Sequence, residues 1–342
     1  MGNEQSTDYL HFLRVISAFA VIMIHVLCTP VVFCENEYTE LGLLSIRFFR
    51  NILTWCVPIF VMITGSLFLN PKKEISFHKI LFKYVKRILL VILTFGTLYS
   101  FMELVFSEKQ ITFEIMLKAI FNTMTGHSWE HMWYMYMLVG LYFLIPALKV
   151  FVNNVSEKIC FQTLIILFVI SSIVPFLSTF INIKYEIPTV SIYIFYLLLG
   201  YAIHFNKVSI NNKKSLVLIG VYILYVFFIN QSSFFYIKNN AGLKTLGYES
   251  PFTVLATVGI FCLAKNNLEK VSNIIKYLSP ITFGVYIVHA VPINFCYKVL
   301  HITVERYTLA TSLLIVSFVT IFMSFLLIFL LRLIPFVRKY FL

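Results

Sequence analysis

Long apolar runs alternate with short polar connections along nearly the whole chain. A helix needs about 20 apolar residues to cross a bilayer. By that measure ten segments are expected, at roughly 10–33, 51–69, 84–106, 132–150, 160–180, 190–205, 215–231, 250–264, 280–298 and 309–334. The sixth and eighth are short, as tilted or partly re-entrant spans would be. No internal repeat or low-complexity tract interrupts the pattern. Pro58, Pro146, Pro175 and Pro292 fall inside these segments and are expected to bend their helices. The fold class expected is all-α: a polytopic integral membrane bundle of about ten transmembrane helices.

Composition agrees. Of 342 residues, 60% are hydrophobic and 12% charged, where a soluble domain carries about 25% charged residues. So few charges cannot cover a water-facing surface. Disordered chains, secreted disulfide scaffolds and ordinary cytosolic enzymes are excluded. The net charge of +12 has a membrane explanation rather than a nucleic-acid one. With the N-terminus inside, the inner connections carry 17 Lys/Arg against five acids. The outer ones carry nine (Arg47, Arg50, Lys109, Lys118, Lys184, Lys238, Lys244, Lys298 and Arg306) against nine acids. Positive charge marks the cytosolic side, so an N-in, C-in arrangement follows, with the lipid bilayer as partner. Residues 1–9 are polar and slightly acidic, and the apolar run after them is too long for a signal peptide. The first span is therefore expected to stay in the membrane. The six cysteines, without any CxxC pattern, read as buried apolar fillers. Cys28 and Cys34 are poorly placed to pair on a partly helical stretch.

Once the charges of the connections and their helical continuations are counted, only Arg14 and Glu103 remain, both inside expected spans. Ionisable groups in a membrane are costly and usually functional. Arg14 and His25 lie 11 positions apart, three helical turns plus about 20°, so both project from one face about 16 Å apart along the axis. Arg14 falls towards the cytosolic end, where snorkelling to phosphates is the alternative to a functional role. For His25 the alternative is a hydrogen-bonded packing residue.

This pair resembles the R-X10-H signature of the acyltransferase-3 family. That family includes membrane O-acyltransferases of bacterial surface polysaccharides, and the membrane module of vancomycin-type serine racemases is related to it. Further stretches agree in order. Val57–Leu69, with Thr64-Gly65-Ser66, resembles the family's second-helix segment, Thr64 standing where Ser is usual. Lys83-Tyr84-Val85-Lys86-Arg87 resembles the basic start of the third helix. His131-Met132-Trp133 resembles the start of the fourth, and Gly284-Val285-Tyr286-Ile287-Val288-His289 a late Gly-x-Tyr-x-x-His segment. The resemblance implies a single acyltransferase-3-like transmembrane domain over 1–342. It also implies an acyl-CoA donor, acetyl-CoA, on the cytosolic side and an acceptor on the outer side.

The residues make physical sense of that implication. CoA phosphates need cations. Arg87 can fork onto a phosphate, while Lys83 and Lys86 act as point charges; the alternative for the lysines is that they only enforce topology. Transfer from a thioester to a hydroxyl needs a base for the proton and donors for the oxyanion. A neutral imidazole suits the base, and His25 is the candidate. Arg14 lies several turns away, so it is assigned to the donor's phosphate or pantetheine portion, or to a buried partner. In the outer connection 107–131, Glu130, His131 and Trp133 suit a sugar platform or gate, with interfacial anchoring by Trp129 and Trp133 as the alternative. His289 is placed to contact the site. His204, His11, His78 and His301 read as interfacial. The spacing His127, Glu130, His131 lacks the H-E-x-x-H pattern, and no metal is expected.

The function expected is O-acylation, most simply acetylation, of a cell-surface or lipid-linked glycan in the cell membrane of a bacterial envelope. The transfer can be direct or run through an acyl-His relay. The alternatives are a membrane transporter or exporter of a glycan or small molecule, a serine-uptake-like module, and a structural subunit of a glycan synthase. Oligomeric state is not legible.

Overall fold

The computed structural model describes residues 6–34, 38–178, 180–181, 191–232, 246–304 and 306–341. Among them there are helices and no strands. In chain order they are α1 (Asp8–Cys34), α2 (Glu40–Ile52), α3 (Cys56–Phe68), α4 (Phe77–Glu108), α5 (Phe113–Met124), α6 (Trp133–Asn154), α7 (Glu157–Ser178), α8 (Ile192–His204), α9 (Asn212–Ser232), α10 (Pro251–Asn267), α11 (Asn273–Val288), α12 (Ala290–Val299), α13 (Leu309–Leu333) and α14 (Pro335–Tyr340).

Seven helical stretches are long and apolar enough to cross a membrane, and α11 with α12, bent by 43°, makes an eighth. The chain is thus a multi-pass membrane protein. Each of the ten expected apolar segments is helical where described. The two short ones stay short: α8 has 13 residues and α10 has 17. At 1.5 Å per residue α8 reaches about 20 Å, less than the roughly 30 Å hydrocarbon layer.

Polar caps set where the chain enters its helices. Thr39 Oγ1 accepts from Gly42 N at 3.1 Å, Ser76 Oγ from Lys79 N at 3.2 Å, Thr112 Oγ1 from Ile115 N at 3.2 Å and Ser156 Oγ from Ile159 N at 3.3 Å. Each satisfies an N–H that the helix start leaves over.

These caps correct the sequence-based boundaries. The second span begins at Glu40 rather than 51, so Arg47 and Arg50 sit within it and not in an outer connection. The third begins at Phe77, which puts Lys79, Lys83, Lys86 and Arg87 on the helix itself. The connection 107–131 is largely a helix, α5, whose Phe113, Leu117 and Phe121 are exposed. Lys184, Lys238, Lys244 and the side chain of Cys34 lie outside the described residues.

The chain divides into two compact units. The first comprises Met1–Asn70 and Val155–Leu326. Within it α1 packs against α2, α3, α10, α11 and α12. The tightest crossing joins α3 to α8. A Cβ on Gly65 would fall inside the Leu197 carbonyl oxygen, and one on Gly200 inside the Met62 backbone. Ser66 Oγ donates across this crossing to Gly200 O at 2.9 Å. Gly259 on α10 likewise leaves room for α9, its absent Cβ lying 2.8 Å from Ser215 O.

The second unit comprises Pro71–Asn154 and Leu327–Leu342. Its α4 contains two π-helical stretches, Ile80–Val85 and Ile92–Gly96. α4 ends at Lys109 in the left-handed conformation, φ 54°. α5 then folds back on α4, joined by Lys118 to Glu108 at 2.9 Å and by Asn122 Nδ2 to Ser100 Oγ at 3.2 Å.

Gly65→Ala or Gly200→Ala should therefore prise α3 from α8. Overpacking costs about 1–3 kcal/mol where side chains can yield, and a backbone carbonyl yields less. A loss at or above the top of that range is expected. Gly140, on α6, has nothing within 4 Å of a built Cβ, so Gly140→Ala should be neutral or stabilising by up to about 1 kcal/mol. Thermal unfolding of the three variants in one detergent checks the contrast; equal melting shifts would contradict it.

Candidate active site

In the first unit the structure brings His25 together with His289. Their ring centroids lie 5.0 Å apart with planes at 49°. His289 is fully buried and occupies the break between α11 and α12. Its Nδ1 is 2.6 Å from Tyr286 O. A carbonyl can only accept, so Nδ1 carries the hydrogen and Nε2 is the basic nitrogen of the neutral ring. Pro292, inside α12 and three residues past the break, has no N–H to give to the preceding turn. Tyr297 OH donates to Val26 O at 3.2 Å, tying α12 to α1 one residue from His25.

Arg14 is half-buried three turns down α1. Its Nη1 reaches Ser279 Oγ at 3.4 Å, and the same hydroxyl lies 2.9 Å from His11 Nδ1. Below them Lys276 pairs with Asp8 at 2.8 Å, and Val271 N donates to Asp8 at 3.2 Å. The start of α1 is thus clamped to the segment that opens α11. Arg14 and His25 each meet α11 or its end, at Ser279 and His289. Those partners are ten positions apart, against 11 on α1. Residues Ser279–Ile281 form a 3-10 turn, whose larger rise per residue makes up most of the difference. α1 and α11 therefore run parallel in matched register.

His204 is not interfacial. It is buried, and its Nδ1 lies 2.6 Å from Tyr9 OH. The helix α8 is too short to carry it out of the bundle, and α1 supplies a hydroxyl. His11 is likewise engaged, through Ser279, while His78 and His301 are exposed.

Sequence reasoning missed the arginines of α2. Arg47 is 2% exposed. Its Nε and Nη2 donate to Asn230 Oδ1 at 3.1 and 3.0 Å, and Nη2 also reaches Asn230 O at 2.9 Å. Arg50 Nη1 donates to Leu246 O at 2.9 Å and to Asn51 Oδ1 at 3.1 Å. Asn51 Oδ1 also accepts from Leu246 N at 3.0 Å, and Tyr222 OH donates to Asn51 O. The signal that locates these residues is the Thr39-Glu40 cap, followed by Leu43, Leu44 and Ile46 on the buried side of one helix.

The second unit holds the other sequence candidates. Arg87 is half-buried, with Nε 3.3 Å from Phe341 O. Lys83 and Lys86 are exposed, and Lys83 Nζ sits 5.6 Å from the Tyr84 ring centroid. His131 is buried against Tyr99, with centroids 5.6 Å apart. Trp129 stacks on Tyr99 at 4.5 Å and 7°, and its Nε1 donates to Glu103 at 3.2 Å. Glu103, left open by the sequence, is the anchor of this stack. Ser128 Oγ donates to Gly96 O at 2.8 Å. Trp133 is half-buried, edge-on to Tyr134, and Glu130 is exposed. Among the described residues, no group of three or more His, Cys, Asp or Glu could hold a metal ion.

Compared with families of known proteins, residues 7–332 match the model of the acyltransferase domain that defines the acyltransferase-3 group. The chain belongs to the acyltransferase-3 family. No curated protein and no solved structure matches it. Family membership supports an acyltransferase role for the chain. The segments that resemble the acyltransferase-3 motifs now have physical roles. Gly65 and Ser66 make the α3–α8 crossing, and His289 meets His25.

The Tyr99–Trp129 stack should hold the 125–132 connection on α4. A double-mutant cycle with Tyr99→Leu and Trp129→Leu, read by thermal unfolding, is expected to give a coupling of about 0.5–1.5 kcal/mol. Additivity within about 0.3 kcal/mol would show that the stack does not hold it.

Proposed function

We propose that this acyltransferase moves an acyl group, acetyl in the simplest case, from cytosolic acyl-CoA to a hydroxyl of a cell-surface or lipid-linked glycan. The cell membrane of a bacterial envelope is the proposed setting, with both termini inside. The observation that carries the reading is the His25–His289 pair. Two imidazoles meet within the bundle, and one is fixed by a backbone carbonyl so that its basic nitrogen is known.

In this reading His25 takes the proton of the attacking hydroxyl. The oxygen adds to the thioester carbonyl, and collapse of the adduct expels CoA as thiolate, which recovers the proton from His25. While His25 holds that proton, His289 Nε2 can accept a hydrogen bond from it, and the proton itself passes to the thiolate. Arg14, about 16 Å along α1 from His25, serves the donor's phosphate or pantetheine portion. Arg87, Lys83 and Lys86 hold the CoA phosphates. On the acceptor side, Glu130, His131 and Trp133 are assigned to the sugar, with His131 held against Tyr99 beside Trp129.

The test is acyl-CoA turnover by purified protein in lipid nanodiscs, supplied with cell-wall glycan acceptors. His25→Ala should lower kcat by about 10²–10⁴-fold, the range a positioned acid–base group contributes. His289→Ala should lower it by at least about tenfold on the same ground. His289→Ala strips the buried Tyr286 carbonyl of its ring donor and should melt earlier, so turnover is compared at a temperature where both variants remain folded. Binding without turnover for every acceptor, and flux of a small molecule in proteoliposomes, would replace this reading with transport.

A further inference from the structure

Arg50 lies inside a candidate membrane span, where an ionised group is costly unless something answers its charge. The three ion pairs among the described residues are Lys118–Glu108, Lys207–Glu157 and Lys276–Asp8. None involves Arg50. Its neighbour Arg47 has a structural use, with its fork closed on Asn230. Arg50 is held differently. Nη1 alone is engaged, by Leu246 O and Asn51 Oδ1. Nε and Nη2 make no hydrogen bond to the described residues, and the side chain is only half-buried. The guanidinium is anchored at one corner and leaves three N–H donors over.

The packing of α1 on α2 says where those donors lie. The two helices run antiparallel, with Leu27 and Val31 of α1 packed on Ile46 of α2. Arg50 is one turn beyond Ile46 on the same face, so it stands level with the turn of α1 that precedes Leu27. That turn carries His25. The Arg50 charge acts on the His25 ring, as it must at that level. Beside it Asn51 is fully buried. Its Oδ1 already accepts from Arg50 and Leu246 N, which fixes the amide orientation, and its Nδ2 has no partner among the described residues.

We infer that Arg50 is a catalytic residue of the transfer, donating its free N–H groups to the oxyanion that forms on the acyl carbonyl as His25 takes the acceptor's proton. The inference rests on the reading of the chain as an acyltransferase with His25 as base. The hydroxyl oxygen forms a bond to the carbonyl carbon, the C=O π pair moves to oxygen, and the hydroxyl proton goes to His25. Arg50, with Asn51 Nδ2 as a second donor, stabilises that negative oxygen. The pair then re-forms C=O, the C–S bond breaks, and the CoA thiolate takes the proton from His25. Nothing else is consumed. Arg14, several turns away, cannot supply this contact.

The test compares kcat and KM in nanodiscs for wild type, Arg50→Gln, Arg50→Lys and Arg50→Ala, the last with and without added guanidinium chloride. Removing one oxyanion donor costs about 10²–10³-fold in kcat. Arg50→Gln should show that loss with KM for acyl-CoA unchanged, and Arg50→Lys should keep more activity. Low guanidinium should raise kcat of Arg50→Ala but not of His25→Ala; a purely structural role would give no such rescue. Arg50→Lys and the rescue keep the test decisive if Arg50→Gln misfolds. Wild-type turnover with Arg50→Gln within about threefold of it, or a loss confined to KM, overturns the inference and leaves the acyltransferase reading standing. A silent wild type overturns both.

Discussion

The α3–α8 crossing is the constraint on which the rest of the first unit depends. Lipid gives helices no hydrophobic reason to associate, so close backbone approach and hydrogen bonds must do it. Gly65 and Gly200 remove the two Cβ atoms that would hold the backbones apart, and Ser66 adds a hydrogen bond to Gly200 O at the point of contact. α8 is too short to be positioned by the bilayer, so α3 positions it. From α8, Tyr196 OH donates to Tyr248 O at 2.7 Å and pins the segment that follows residue 245. Arg50 and Asn51, on the helix before α3, hold the same segment through Leu246. Both grips come from one continuous α2–α3 stretch and its partner, so the arginines of α2 take their level on α1 from a crossing made by glycines.

A broken helix supplies the second imidazole. Irregular backbone is tolerated at membrane depth only where protein or a cavity satisfies it. At the α11–α12 break the Tyr286 carbonyl takes its hydrogen bond from the His289 ring rather than from solvent. The break therefore satisfies a backbone acceptor and fixes a tautomer in one contact. An imidazole whose Nδ1 is committed presents a defined basic nitrogen, which a freely rotating ring would not. The bend and the fixed tautomer share a cause.

Much of this was legible in the sequence because the physics is local. Hydropathy over about 20 residues locates the segments, and the spacing of Arg14 and His25 on one helix fixes their relative placement. The motif around Thr64-Gly65-Ser66 was legible as a resemblance, but its role as a crossing needs the partner, Gly200, 135 positions on. Arg47 and Arg50 were hidden because three charges in 13 residues, Glu40 among them, lower the local hydropathy enough to read as a connection, although the Thr39 cap begins a helix there. His204 read as interfacial because its partner, Tyr9, is 195 residues distant. Residues 107–131 read as a loop because α5 has a polar face and only 12 residues. For Gly65 and His204 the missing information was a contact remote in sequence; for α2 and α5 it was a short helix whose polar residues masked it, although a local cap marks its start.

The matched register of α1 and α11 gives the R-X10-H spacing a structural meaning. Arg14 meets Ser279 and His25 meets His289, so the interval on one helix is answered by an interval on the other. α11 has one residue fewer between its two partners. The 3-10 turn at Ser279–Ile281 lengthens it by about 0.5 Å per residue relative to an α-helix, which comes to about the rise of one α-helical residue. Were the interval on α1 one residue longer or shorter, either Arg14 or His25 would turn by about 100° away from its partner. Two chemically different sites, a cation near one end and an imidazole pair at the break, are thus held at a fixed separation by a pair of parallel helices. Fixed separation is what a long substrate needs if one end is to be gripped while the other reacts.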